Sequence, residues 1–160
     1  MTRMDQVLQL VGQMNYAWTN TESLFIYLIA HLSGTNKEAA IVIFLTLNTT
    51  RARLDLIERL AKLNTVNDET RKRVLDLTER LKDEARIRNK YNHCIYSFDA
   101  NGEFGSTQLM RINDFGDDLK YGKVELLDDC EIVRIKGAIQ GVTSVNRDIW
   151  KFIRDSNIAT

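Results

Sequence analysis

Not one proline interrupts the 160 residues of this chain. Proline removes a backbone donor and its ring clashes with the preceding turn, so a chain without it is open to long unbroken helices. Apolar residues recur along most of the length at alternating spacings of four and three, which places them on one helix face. The first stripe is Val7, Val11, Met14, Trp18, Thr21, Phe25, Leu28 and Leu32. It keeps its phase across the polar patch 19–23, predicting one helix over residues 4–32 that Ser33-Gly34 closes.

Thr35 or Asn36 can cap a second helix over 37–64, with the stripe Ala40, Ile43, Phe44, Leu47, Leu54, Ile57 and Ala61 and a polar interruption at 48–51. A third, after the cap candidate Asp68, covers 69–95 through Val74, Leu77, Leu81, Ala85 and Ile95, with Arg88 and Asn92 on the same stripe. The last covers 128–155, opening on a capping-box pattern of Asp128 and Glu131. Its Gly137 and Gly141, four apart, either admit a second helix closely or are tolerated flexibility.

Between the third and fourth helices the period stops. Residues 95–98 are rich in β-branched and aromatic side chains, and Asn101-Gly102 is a pair favoured in tight hairpin turns. Residues 108–112 suit a returning strand and 123–126 a further short one. The expected architecture is therefore a single all-α domain over 1–160: a four-helix bundle with a small β-hairpin insertion at about 95–126. Its short connections would make neighbouring helices antiparallel.

The formal net charge is zero, which argues against non-specific coating of nucleic acid but not against a local basic groove. Residues 71–90 hold eight basic side chains against four acidic, and residues 99–131 hold nine acidic against three basic. Cys94 and Cys130 are too few for a disulfide framework or a zinc motif and read as reduced thiols. The N-terminus lacks a signal-peptide core, and the longest apolar run, 39–45, falls far short of the ~20 residues that span a bilayer. A cytoplasmic protein without membrane contact is the expectation. No glycine-rich phosphate loop, zinc-ligand cluster or nucleophile elbow is visible, so neither cofactor nor metal is expected.

One segment carries chemistry: Ala85-Arg86-Ile87-Arg88-Asn89-Lys90-Tyr91-Asn92-His93. Arg88 lies ~20° from Leu81 around the helix, placing a cation within an otherwise apolar stripe. Arginine is almost never fully buried unless paired, so Arg88 either meets a carboxylate such as Glu22 or Glu58, or faces a cleft or another subunit. Arg88 followed by Asn89, with His93 five residues after the arginine, resembles the signature of the HEPN (higher eukaryotes and prokaryotes nucleotide-binding) family. Arg86 also matches, at the longest spacing, but is followed by Ile87 rather than a polar residue.

The resemblance implies a helical bundle with the motif near the end of its third core helix. It also implies a metal-independent endoribonuclease, of a toxin or phage-defence kind, in which the RNA 2′-hydroxyl attacks the adjacent phosphate. His93 would transfer the proton, histidine being a side chain suited to general acid–base work. Arg88 would stabilise phosphate through its planar fork, with Asn89 in support. The implied partners are a second copy, whose motif shares the cleft in a homodimer, an RNA substrate, and a protein antitoxin or regulator. In the toxin branch tyrosine often stands two residues after the histidine; here Ile95 holds that place and Tyr96 follows. The rival readings are a non-catalytic module binding nucleotide, RNA or protein, and a helical scaffold in which Arg88 is only an ion-pair partner. His31, near a helix end, reads as capping or exposed, with a supporting role near His93 as the alternative.

Overall fold

A computed structural model describes all 160 residues. The elements in order are α1 (Arg3–Ser23), α2 (Phe25–Ser33), α3 (Lys37–Thr46), α4 (Thr50–Ala61), α5 (Asp68–Asn92), β1 (Cys94–Phe98), β2 (Gly105–Leu109), β3 (Ile112–Phe115), β4 (Asp118–Tyr121), β5 (Val124–Leu126) and α6 (Asp129–Asp155). The expected all-α, four-helix bundle with one small hairpin is therefore corrected. The protein is a mixed α and β structure, with five antiparallel strands in two sheets.

Two of the expected helices are each divided. The one expected over 4–32 breaks at Leu24, where the Thr21 hydroxyl donates to the Ala17 carbonyl and the Ser23 hydroxyl to the Asn20 carbonyl. Hydroxyls that bond back to carbonyls compete with the helical ladder and bend it. The one expected over 37–64 breaks after α3. Leu47 turns extended, and Thr49 starts α4 by accepting from the Ala52 amide at 3.1 Å. The third helix stops at Asn92 rather than 95, and Asn67, not Asp68, caps it through the Thr70 amide. Gly34 ends α2 in the left-handed conformation, and Asp128 caps α6, both as the sequence predicts.

The chain forms two compact units, Met1–Tyr16 with Glu84–Gln140, and Ala17–Asp83 with Gly141–Thr160. The second unit is helical throughout. Its interior holds Trp18, Phe25, Leu28, Ile29, Ile57, Ile149 and Phe152. Within it Glu22 is buried and accepts from the Trp18 indole, the Thr50 hydroxyl and the Arg53 guanidinium, each at 2.9 Å. Glu58 pairs with Lys82 at 2.7 Å.

The first unit carries all five strands. Strands β1, β2 and β5 form one antiparallel sheet in that order, with Cys94 opposite Leu109 and Phe98 opposite Gly105. Asn101 and Gly102 fall in the β1–β2 connection where the sequence puts them, but that connection runs over the six residues 99–104 rather than a tight two-residue turn, and Gly102 alone of the pair takes a positive φ, +71°. Cys94, Tyr96 and Phe98 turn inward on Val7, Leu10, Met14, Tyr91, Leu127, Ile132 and Ile135. Strands β3 and β4 form a separate hairpin whose eight residues are all exposed. A two-residue connection closes it, with Gly116 at φ +58°, the pattern of a type II′ turn. At its root, Gly122 lies so close to β2 that a Cβ there would stand 1.9 Å from the Leu109 carbonyl oxygen.

Candidate functional site

The end of α5, with His93 immediately after it and still bonded to the last turn, presents Arg86, Asn89, Lys90 and His93 on one face, because spacings of three, four and seven bring side chains into register around a helix. These four, with Ile87, Leu109, Met110, Arg111, Glu125 and Arg134, line a groove of about 520 Å³. The His93 backbone is pinned on both sides: its amide donates to the Asn89 and Lys90 carbonyls, and its carbonyl accepts from the Met110 amide. The junction between α5 and β1 thus fixes where the imidazole emerges, and the residue is exposed.

Four cations and one carboxylate face this groove, but the cations differ in what they are free to do. Lys90 is committed, bridging Glu125 at 2.7 Å and Glu131 at 2.8 Å. Burial alone would lower its pKa; the two carboxylates outweigh burial and raise it. Arg134 bonds the other Glu131 oxygen at 2.5 Å. Arg86 and Arg111 take part in no ion pair or side-chain hydrogen bond and are exposed. They can meet an anion without first releasing a partner.

Glu131, which does not itself line the groove, holds two of these cations in place. Burial pushes its carboxyl up, but hydrogen bonds from Lys90, Tyr91 and Arg134 prevail and hold it at about 2. The Tyr91 hydroxyl donates to Glu131, and burial together with that carboxylate pushes the phenol well above its ordinary value. Lys90 and Arg134 are thus tied with Glu125 and Glu131 into an internally neutralised network beside the groove.

The three residues singled out by sequence separate into two roles. Asn89 and His93 lie in the groove; Arg88 does not line it. Arg88 sits five residues before His93, ~140° away around the helix. Its guanidinium donates to Asn89 Oδ1 at 3.1 Å. With the Asn92 amide turned to suit its neighbours, Asn92 Oδ1 accepts from Arg88 Nε at 2.9 Å and Nη2 at 3.2 Å, and its Nδ2 donates to Asn15. The carboxylates considered for Arg88, Glu22 and Glu58, pair with Arg53 and Lys82 instead. Arg88 therefore reaches the groove through Asn89, whose oxygen it holds so that the amide nitrogen remains a donor.

Sequence reasoning passed over Arg86, Arg111 and Arg134. The signal for Arg86 was present in the spacing 86, 89, 90, 93; Arg111 and Arg134 come from distant elements and left none. His31 is exposed, its ring edge-on to Phe152 at 5.9 Å. Cys94 and Cys130 are free thiols, the first buried and the second exposed. At Gly137 an added Cβ would meet nothing within 4 Å, so no helix packs closely there. No helix is long and apolar enough to cross a membrane. No protein-family model, curated protein or solved structure matches the chain.

Proposed function

We propose that this groove binds the phosphodiester backbone of RNA and cleaves it without a metal ion. The observation that carries the reading is that His93 shares one face of α5 with Arg86 and Asn89 and one groove with Arg111 and Arg134. Guanidinium forks suit phosphate oxygens, and Arg86 and Arg111 are unengaged. The 2′-hydroxyl attacks the adjacent phosphorus while the bond to the 5′-oxygen breaks, leaving a 2′,3′-cyclic phosphate and a 5′-hydroxyl. His93 serves one proton transfer, taking the proton of the 2′-hydroxyl or giving one to the departing oxygen. Arg86 and Arg111 offset the charge of the crowded phosphorane, and Asn89 donates from its amide nitrogen. A second copy of the chain would bring a second imidazole for the other transfer. The resemblance carried by Arg88, Asn89 and His93 supports the same reaction class, with Arg88 as the residue that positions Asn89.

The test is RNA cleavage by purified protein in the presence of a chelator. Cyclic phosphate ends are expected, and His93→Ala should lower the rate by ~10²–10⁴-fold, the usual worth of a positioned acid or base. Arg86→Ala and Arg111→Ala should each flatten the dependence of log affinity on log salt by about one phosphate contact. Neither cleavage nor salt-dependent binding across varied RNAs would overturn the reading. One observation favours a second reading, RNA binding without cleavage: no hydrogen bond orients the His93 ring or fixes its tautomer. Salt-dependent binding with intact RNA ends would select it.

A further inference from the structure

The groove holds one carboxylate, Glu125, among its cations. In a site for phosphate a carboxylate weakens binding by like-charge repulsion, so its presence calls for an account. Glu125 stands at the middle of β5, opposite Thr107 of β2. Residues paired across an antiparallel ladder point to the same side, and Thr107 is buried. Glu125 therefore turns inward while its neighbours Val124 and Leu126 stand exposed on the other face. Anchoring Lys90 does not explain it, because Glu131 already pairs with that ammonium at 2.8 Å.

The two oxygens of Glu125 are held differently. Oε2 meets Lys90 at 2.7 Å, and the Lys90 side chain is largely buried. Oε1 meets only Lys123, at 3.3 Å, and the Lys123 side chain is 76% exposed. One oxygen is thus fixed by an immobile cation, and the other is covered by a side chain that an arriving phosphate can draw off. A base oriented by a third group is the usual arrangement for taking a proton from a hydroxyl. Across the groove, the His93 carbonyl accepts from the Met110 amide, three residues along β2 from Thr107. Two strand spacings across and three residues along place the Glu125 and His93 backbones on the order of 14 Å apart. Both side chains line the space between, which leaves room for roughly one phosphodiester group at their tips.

We infer that Glu125 Oε1 is the general base of the groove and His93 the general acid, so that one chain holds both proton-transfer groups. This rests on the reading of the groove as an RNA-cleaving site, and it replaces the imidazole that a second copy would bring. Oε1 takes the proton of the 2′-hydroxyl as the 2′-oxygen bonds to phosphorus. The bond from phosphorus to the 5′-oxygen breaks, and His93 gives that oxygen its proton. Exchange with water then returns both groups to their starting states. Hydrogen bonding from Lys90 lowers the Glu125 carboxyl below its ordinary value, so it has no proton to give and acts only as the base. The arriving phosphate displaces Lys123 and opposes the carboxylate charge, and both effects raise its basicity with substrate in place.

The test uses the full chain with single-stranded RNA of random sequence, its 2′-deoxy counterpart for binding alone, and uridine 3′-(p-nitrophenyl phosphate), whose leaving group departs without a proton. Glu125→Gln should lower RNA cleavage by ~10²–10⁴-fold. It should bind the deoxy strand no more weakly than wild type, since a negative charge has left the groove. On the activated ester His93→Ala should recover to within ~10-fold of wild type, whereas Glu125→Gln should not. If a second copy's imidazole were the base, His93→Ala would remove it too and stay inactive on the ester. Wild-type cleavage should also hold level or rise between about pH 7 and about pH 5, because acidification leaves a carboxylate base ionised and fills an imidazole acid. The ester and pH measurements need no change at Glu125 and decide the matter even if Glu125→Gln fails to fold. A wild type that cleaves neither RNA nor ester would overturn the groove reading and this inference together. RNA cleavage that survives Glu125→Gln, an ester that does not rescue His93→Ala, or a rate that falls on acidification would overturn this inference alone.

Discussion

The two hairpins of the first unit differ in what holds them. Strands β1 and β2 pair over five residue positions and turn Cys94, Tyr96, Phe98 and Thr107 toward the interior. Strands β3 and β4 pair over four positions and bury nothing. The first is stabilised by the apolar core beneath it and the second by its own ladder and a tight root. Cross-strand pairing contributes only tenths to about one kcal/mol per pair, whereas a fully buried aliphatic side chain contributes about 1.5–3 kcal/mol. The same backbone pattern thus serves as scaffold in one place and as a displayed surface in the other.

The largest effect that would sharpen this contrast is expected at Leu127, buried in the core under β1 and β2. Leu127→Ala should cost about 2–5 kcal/mol in denaturant unfolding. A loss below about 1 kcal/mol would mean that the first hairpin, like the second, does not depend on that core.

Next in size is the Glu131 network, which links α5 and α6 and reaches β5 through Lys90 and Glu125. Burial opposes its ionisation, yet its hydrogen bonds hold the folded carboxyl at about 2 against an ordinary 4.5. A depressed carboxyl contributes stability that is fully present above the unfolded value and lost as pH falls through the folded one. The window is therefore pH 4.5 down to about 2, with an amplitude on the order of 3 kcal/mol. Glu131→Gln should destabilise the protein at neutral pH and flatten unfolding free energy across that window. An unchanged acid profile would remove the network from the account.

The smallest effect is expected on the exposed hairpin. Leu119→Asn should change unfolding free energy by no more than about 0.5 kcal/mol, as for other surface positions. A larger loss would show that β3 and β4 are packed within the chain after all.

Several elements were legible in the sequence for physical reasons. The Gly34 and Asp128 boundaries follow from capping chemistry, and the Asn101-Gly102 turn from the left-handed backbone that glycine accepts. The helix breaks were visible as polar patches but overruled by the stripe. Leu24 keeps φ −70° and ψ −14°, close to helical, so the apolar phase survives the interruption. The β3–β4 hairpin escaped because its strands are only four residues long and β3, Ile112-Asn113-Asp114-Phe115, shows no apolar alternation, although Leu119 and Tyr121 do alternate with Asp118 and Lys120 in β4. At the site, linear spacing drew attention to Arg88 with His93, whereas helical geometry pairs His93 with Arg86 and Asn89. Rotation of 100° per residue was enough to find the second set. The Lys90, Glu125 and Glu131 bridge was not, because it joins three elements far apart in the chain.

Position 122 has a consequence for how descendants of this sequence can diverge. A Cβ there would stand 1.9 Å from the Leu109 carbonyl oxygen, so every missense change at that codon forces the root of β4 away from β2. The root is a hinge-pin of fixed width, and variation is channelled outward from it. Insertions or deletions of matched residue pairs keep each side chain on its face. The hairpin can thus lengthen or shorten at the tip across generations while the place where it leaves the sheet stays constant.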